Sequence, residues 1–428
     1  MSVTGDRQGV LALGGVPLDE LLASLRRRDP AARAFWAYDL DAFTARAHRL
    51  LAALAPLGAH AAYALKANGL PALARTAAAA GLDADAGSLG ELALAGHAGF
   101  GPGRRTLSGN GRTREEADWA ATHGVAFVSA DHVGELDLLE DAAARSGAKL
   151  RVALRVNPGI FTPGHRHVAT GHLDAKFGVE PGEALEAWAS RARWPNLRLD
   201  GLHLHVGSQL LETAPLEGAA RFALELARQS ESRGAPLAAV NLGGGFGVDY
   251  ERGGDGFPLE RHLGDLARAL AGGGLEWRFE PGRWLVAPVG VLVAEVSWVK
   301  LRRGSAGEQR FVVLSAGMND LLRPALYGAR HRIVPVRPRP GAGSPAIVVG
   351  PVCESGDTFS ADATLPPLER GDLVALLDAG AYGSAMSSNY NGRGRLAEIA
   401  VTGGRARLVR AAESPAELLA RQTDLPLS

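Results

Sequence analysis

The sequence predicts an α/β protein: a (β/α)8 barrel over residues 40–285, then an all-β domain over residues 286–428 to which residues 1–39 contribute. Three observations carry this expectation. The chain has 428 residues, too many for one ordinary core and suited to a large domain with a smaller one. From about residue 40 to 285, short apolar runs alternate with longer amphipathic ones. Beyond Pro281 the pattern changes to short runs rich in Val, Ile and Leu, most of them separated by Gly, Pro or Asp.

Taken in order, the barrel strands are expected at His60–Lys66, Asp83–Ala86, Arg105–Ser108, Ala126–Ser129, Leu150–Val156, Leu199–Val206, Ala238–Leu242 and Glu276–Glu280. Helices fill the gaps. Thr113–Thr122 opens on a Thr cap with two acids in its first turn. Leu216–Ser230 and Pro258–Ala271 repeat apolar residues at helical spacing. Strand-then-helix repetition of this kind matches a closed (β/α)8 barrel, with an open doubly wound sheet as the alternative. In the second domain, strands are expected at Val289–Val299, Arg310–Leu314, Ile333–Val336, Ala346–Val349, Asp372–Leu377, Ala397–Val401 and Ala406–Val409, with an exposed loop over residues 336–345. The first 30 or so residues are expected to add an edge to this domain.

Composition narrows the function classes. Lys plus Arg equals Asp plus Glu, so the formal net charge is zero, and nothing points to a nucleic-acid or membrane-surface partner. The one cysteine, Cys353, allows no intramolecular disulfide, which fits a reducing compartment. No signal-peptide pattern and no bilayer-length apolar run stand out, so the expected location is the cytoplasm. Arg far outnumbers Lys, whose only positions are 66, 149, 176 and 300. Lys66 sits in the apolar run Ala61-Ala62-Tyr63-Ala64-Leu65-Lys66-Ala67-Asn68. An arginine cannot lose its proton to become a nucleophile; a lysine can.

In a barrel of this type, chemistry gathers at the C-terminal ends of the strands. The unusual residues fall there: Lys66 on the first strand, Asp85 and Ser88 after the second, Asn110 after the third, His205 and Ser208 after the sixth, Gly243-Gly244-Gly245 after the seventh, and Glu280 and Arg283 after the eighth. Each has a plain structural reading beside a chemical one. Lys66 is either a surface lysine or an amine with a lowered pKa that captures a carbonyl cofactor. The glycine run is a bare turn or a cradle that lets backbone amides approach an anion, and Ser208 adds a hydroxyl. Glu280-Pro281-Gly282-Arg283 is an ion pair at a turn or a carboxylate that keeps a pyridine ring protonated. His203-Leu204-His205 is a zinc pair, which would need further ligands on other strand ends, or places His205 flat on an aromatic ring. In the β-domain, Cys353 is inert core or a proton donor beside Glu354 and Asp357, and Tyr382 occupies a tight glycine turn, Asp378-Ala379-Gly380-Ala381-Tyr382-Gly383.

Together these residues resemble the diaminopimelate decarboxylases, among the fold-type III pyridoxal-phosphate enzymes with an alanine-racemase-like barrel. The resemblance runs from about Phe35 to Val401 through seven segments in order: Tyr63–Asn68, His205–Gln209, Gly243–Gly245, Glu280–Arg283, Met318–Tyr327, Cys353–Asp357 and Ala381–Gly383. It implies decarboxylation of meso-2,6-diaminopimelate to L-lysine and CO2. It further implies that Lys66 holds the cofactor covalently, that Asp85, Gly282 and Arg283 help bind it, that the glycine run, Ser208 and Tyr382 bind its phosphate, that Glu280 pairs with the pyridine nitrogen and that His205 stacks on the ring. By the same resemblance Arg283, Arg323 and Tyr327 hold the substrate's distal carboxylate, Glu354 meets its distal ammonium and Cys353 returns a proton. No metal is implied. A homodimer is, with the Cys353 loop reaching in from the partner.

Four segments depart from the family's usual pattern: Gly109–Arg112, Arg166–Gly171, Thr358–Asp362 and Arg395–Glu398. Three rivals stand beside this reading. One is a related decarboxylase for another amino acid or a carrier-tethered substrate. Another is a zinc hydrolase on the same barrel. The third is an inactive binding homologue, expected to have lost Lys66 or Cys353.

Overall fold

The computed structural model describes residues 3–5, 9–160, 176–270, 274–304, 307–420 and 422. The segment Arg166–Gly171 lies outside the described residues. The chain divides into two compact units, one of Thr44–Val248 with Asp255–Leu285, the other of Met1–Phe43, Asp249–Gly254 and Val286–Ser428.

In the first unit, eight strands close into a barrel. In chain order they are His60–Ala64, Asp83–Ala86, Arg105–Leu107, Phe127–Ala130, Leu150–Arg155, Leu197–His203, Ala239–Asn241 and Glu276–Phe279. Every neighbouring pair is parallel, and Arg278 and Phe279 of the last pair with His60 and Ala61 of the first. The closed barrel, not the open sheet, is the fold. The helix after the third strand, Arg114–His123, begins as its sequence dictates: the Thr113 hydroxyl accepts from the Glu116 amide at 3.2 Å while the Glu116 carboxylate accepts from the Thr113 amide at 3.0 Å. Helix Leu259–Leu270 turns Leu259, Leu263, Leu266 and Leu270 inward, four residues a single helical stripe apart.

The N-terminal side of the barrel is plugged by charge. Arg151 donates to Glu276 at 2.6 Å and to Asp200 at 3.1 Å, and Arg278 donates to Glu276 at 2.6 Å and to Asp83 at 3.3 Å. Beside this layer, Gly201 lets the strand close on Phe127: a Cβ there would stand 2.6 Å from the ring. Ion pairs so mutually satisfied tie the strands together, and the opposite rim is left for loops.

Several strand ends differ from expectation, and three of the shifts bear most on site residues. The first strand stops at Ala64 and a 3₁₀ turn, Leu65–Ala67, carries Lys66 just beyond it. The third stops at Leu107, so Ser108 follows it directly and Asn110 sits out in an exposed bend. The sixth runs from Leu197 to His203, so His203 ends the strand and His205 lies past it; the two do not share a strand face.

In the second unit, a nine-stranded sheet includes the path Thr358–Leu365, Ser344–Val349, Gly307–Leu314, Gly290–Gly304, Ala34–Asp39, Ala397–Thr402, Arg405–Arg410, with Leu373–Leu376 joining Gly290–Gly304 and Ile333–Pro335. The N-terminal segment falls in this unit, where the Leu11 amide donates to the Val336 carbonyl at 2.8 Å. Ala34–Asp39 lies in the interior of the nine-stranded sheet, antiparallel to Gly290–Gly304 and parallel to Ala397–Thr402, while Val3–Gly5, Leu11–Leu13 and Val16–Pro17 form a small sheet of their own. All six residues of Ala34–Asp39 are buried, so it lacks the alternation that marks a half-exposed strand. Strand Thr358–Leu365 was likewise unexpected, because Thr, Ser, Asp and Thr dilute its apolar residues. The loop expected over 336–345 is shorter at both ends: Val336 is buried, and Ser344 and Pro345 open a strand. The core gathers Leu18, Leu21, Leu22 and Leu25 of one helix against Phe35, Val291, Val293 and Ile399 of the sheet.

Candidate active site

At the C-terminal rim of the barrel, polar side chains converge on one buried carboxylate. Glu280 Oε1 accepts from Asn241 Nδ2 at 2.5 Å and from Ser108 Oγ at 3.4 Å, and its Oε2 lies 3.5 Å from His203 Nε2. Three different strands thus supply partners to the end of the eighth. The Glu280 amide donates to the Gly243 carbonyl at 2.9 Å, which ties the acid's backbone to the glycine turn.

The glycines are there because nothing larger fits. A Cβ on Gly243 would lie 2.5 Å from His205 Nδ1, and one on Gly244 would lie 2.3 Å from the Glu280 carbonyl oxygen. Gly243 and Gly245 also have φ of +69° and +100°, which β-carbons disfavour. The Gly243 amide donates to Asn241 Oδ1 at 2.9 Å and the Gly244 amide to His205 Nδ1 at 3.3 Å. Both amides are therefore used within the protein, and the run's first service is close packing. Gly282 does the same for the next loop: a Cβ would stand 2.8 Å from that of Ala67, so this glycine brings the Glu280–Arg283 loop against the turn that carries Lys66.

Lys66 reaches out of that turn. Its side chain is 54% exposed and its Nζ lies 3.7 Å from Asp85 Oδ2. Asp85 is buried, and among the described residues its Oδ1 has no hydrogen-bond partner. Burial, reinforced by the charge of Glu280, pushes the Asp85 carboxyl up to about 6, against the pull of Lys66 and Ser108. Burial holds both His203 and His205 well below the ordinary imidazole range, with the Arg155 and Lys66 charges acting in the same direction, so both rings are neutral at pH 7. Arg283 is buried and donates from Nη2 to the Ser208 hydroxyl at 3.0 Å.

The structure thus brings Lys66, Asp85, His205, Ser208, Gly243, Gly244, Gly245, Glu280, Gly282 and Arg283 together in one unit. Arg323, Tyr327, Cys353, Glu354 and Tyr382 belong to the other. There, Arg323 and Tyr327 bound one short helix, Cys353 and Glu354 are exposed, and Tyr382 has a left-handed φ of +56° in its glycine turn. The Cys353 amide is held by Asn391 Oδ1 at 2.9 Å.

Several contributors had not been singled out. Ser108, Asn241, Ser129 and Arg155 all stand at strand ends, and that position was the available signal. Asn110, expected at this rim, is replaced in the role by Ser108. Ser88 caps helix Leu89–His97, accepting from the Glu91 amide at 3.3 Å. His203 pairs through Nδ1 with the Ser129 hydroxyl and faces Glu280 with Nε2; among the described residues no group of three metal-ligating side chains is arranged to hold an ion. Arg112 lies in the departing segment and binds Glu135 at 3.1 Å and the Ser129 carbonyl at 2.9 Å, anchoring its loop to the fourth strand.

These groups suit a ligand with a carbonyl, an aromatic ring nitrogen and an anionic tail. Lys66 offers an amine, the orphaned Asp85 oxygen and the Glu280 carboxylate offer acceptors, and the turn tolerates no bulk. Packing of the turn is itself testable. Gly244→Ala forces its methyl onto the eighth strand's backbone, and should lower stability by about 1–3 kcal/mol and weaken cofactor retention. Thermal unfolding with and without added cofactor reads both effects.

Residues 40–287 match the family model of the pyridoxal-dependent decarboxylase, pyridoxal binding domain. Diaminopimelate decarboxylase of Zymomonas mobilis is 37% identical over 420 residues, 96% of each chain. Among solved structures, diaminopimelate decarboxylase from Helicobacter pylori complexed with L-lysine superposes with a TM-score of 0.87 at 35% identity, covering 94% of this chain and 98% of that one. The M. jannaschii diaminopimelate decarboxylase in co-complex with L-lysine gives 0.89 at 28% identity, over 99% and 98%. The chain is accordingly a pyridoxal-phosphate-dependent enzyme that belongs to the diaminopimelate decarboxylase family.

Proposed function

We propose that this protein removes one carboxylate of meso-2,6-diaminopimelate, releasing CO2 and leaving L-lysine. The observation that carries the reading is the constellation of Lys66, Asp85 and Glu280 at one barrel rim, with Nζ of Lys66 3.7 Å from Asp85 and Glu280 hydrogen-bonded by Asn241 and Ser108 and faced by His203.

When bound, pyridoxal phosphate supplies a protonated ring that accepts the electron pair left as a Cα–carboxylate bond breaks. The residues do the rest. Lys66 holds the cofactor through its amine and Glu280 keeps a proton at the ring nitrogen. Neutral His205 would face the ring, where an imidazolium would oppose the ring's positive charge. Ser208, the Gly243–Gly245 turn and Tyr382 hold the phosphate. Arg283, Arg323 and Tyr327 receive the substrate's far carboxylate and Glu354 its far ammonium. The Cys353 thiol delivers a proton to Cα once CO2 has left. The site is completed in a homodimer, in the cytoplasm, by the loop that carries Cys353.

Two arginines and an acid favour diaminopimelate over ornithine, which lacks a far carboxylate. The test is CO2 release from a panel of amino acids with added pyridoxal phosphate. The expected result is one L-lysine per CO2 from meso-diaminopimelate. Release from ornithine alone, from another amino acid or a carrier-tethered substrate alone, or from nothing, contradicts the reading. Cys353→Ala should keep the cofactor's visible absorbance while turnover falls by about 10²–10⁴.

A further inference from the structure

Arg323 is built into its position by a histidine. It is buried at the start of helix Arg323–Tyr327, and its Nη1 donates to His331 Nε2 at 2.9 Å. A guanidinium can only donate, so Nε2 is the acceptor and the ring's proton is on Nδ1. That proton is donated to the Leu377 carbonyl at 2.9 Å. Leu377 is held on its other side too, its amide donating to the Arg332 carbonyl at 2.9 Å. The imidazole is therefore pinned between a strand end and the arginine. Tyr250 completes the clamp: its ring centroid lies 4.5 Å from the guanidinium carbon, and its ring meets His331 edge-on with centroids 5.2 Å apart.

We propose that His331 is a positioning residue for Arg323 and so sets the enzyme's preference for ligands that carry the far carboxylate; this rests on the function proposed above. Two features of the geometry point there. A rigid five-donor fork recognises a carboxylate only when its plane is set, and the His331 bond and the Tyr250 face together fix that plane. A neutral imidazole also orients the arginine without cancelling its charge, as a carboxylate partner would, and so does not compete with the ligand it prepares for.

Atom bookkeeping supplies the probe. The carboxylate that survives in L-lysine is the one at the end of diaminopimelate away from the broken bond, whereas 1,5-diaminopentane has none. In the holoenzyme, His331→Asn keeps an amide able to donate to Leu377 but cannot reach Arg323. The KM for diaminopimelate and the inhibition constant of L-lysine should each rise about tenfold, with kcat within about twofold. The inhibition constant of 1,5-diaminopentane should stay put. His331→Gln, whose longer amide places an oxygen near the Nε2 position, should recover much of the loss. A His331→Asn enzyme in which 1,5-diaminopentane weakens as much as L-lysine, or in which neither moves, overturns the positioning role. A wild-type enzyme that binds L-lysine no better than 1,5-diaminopentane overturns the reading of the far carboxylate itself, and this proposal with it. The wild-type and variant arms thus separate the two failures.

Discussion

Lys66→Ala yields a folded, colourless protein whose decarboxylation is lower by about 10⁴-fold or more. The size of this effect follows from what the amine does: without it the cofactor has no covalent tether at the barrel mouth, and no other lysine stands at a described strand end of this rim. Folding should be spared, because the Lys66 side chain is half exposed and its ion pair with Asp85 is loose at 3.7 Å. Circular dichroism and visible absorbance read fold and cofactor separately. Retained colour with retained turnover would remove Lys66 from the chemistry.

Glu280→Gln should cost about 10²–10³-fold in kcat with a small change in KM. The amide can still accept from Asn241 and Ser108, so the local packing survives while the charge that holds a proton on the ring nitrogen is gone. The change also reports on Asp85. That carboxyl is raised to about 6 by burial first and by Glu280 second, so a neutral residue 280 should bring it down part of the way. The sign for stability is fixed. A folded-state value above the unfolded one of about 3.9 means that Asp85 costs stability as pH rises from about 4 through about 6. Glu280→Gln should narrow that window, which unfolding curves across pH 4–7 would show. A variant with unchanged kcat would contradict the role of the acid.

Much of this could be read from the chain alone, and the rest had physical reasons to stay hidden. Lys66 stood out because a sequence that uses Arg nearly everywhere kept a Lys in an apolar run. Glu280 and the three glycines stood out because acids and glycine runs at strand ends are costly unless used. Ser108 and Asn241 did not, since a small polar residue ending a strand looks the same whether it faces water or a buried acid. A third strand running to Ser108 puts that residue inside the sheet and Asn110 at the rim, whereas the strand ends at Leu107. The interior strand Ala34–Asp39 was missed because burial on both faces erases alternation. The His331–Arg323 contact spans a helix, a glycine turn and an ordinary-looking loop, and only tertiary structure aligns the two rings with the guanidinium.

One amine at the rim of the barrel carries the chemistry. Borohydride reduction of the purified holoenzyme, followed by peptide mapping, tests it most directly. A pyridoxyl group on the peptide containing Lys66, and on no other, is the predicted result. A group on Lys149, Lys176 or Lys300 instead, or no group at all, would contradict it.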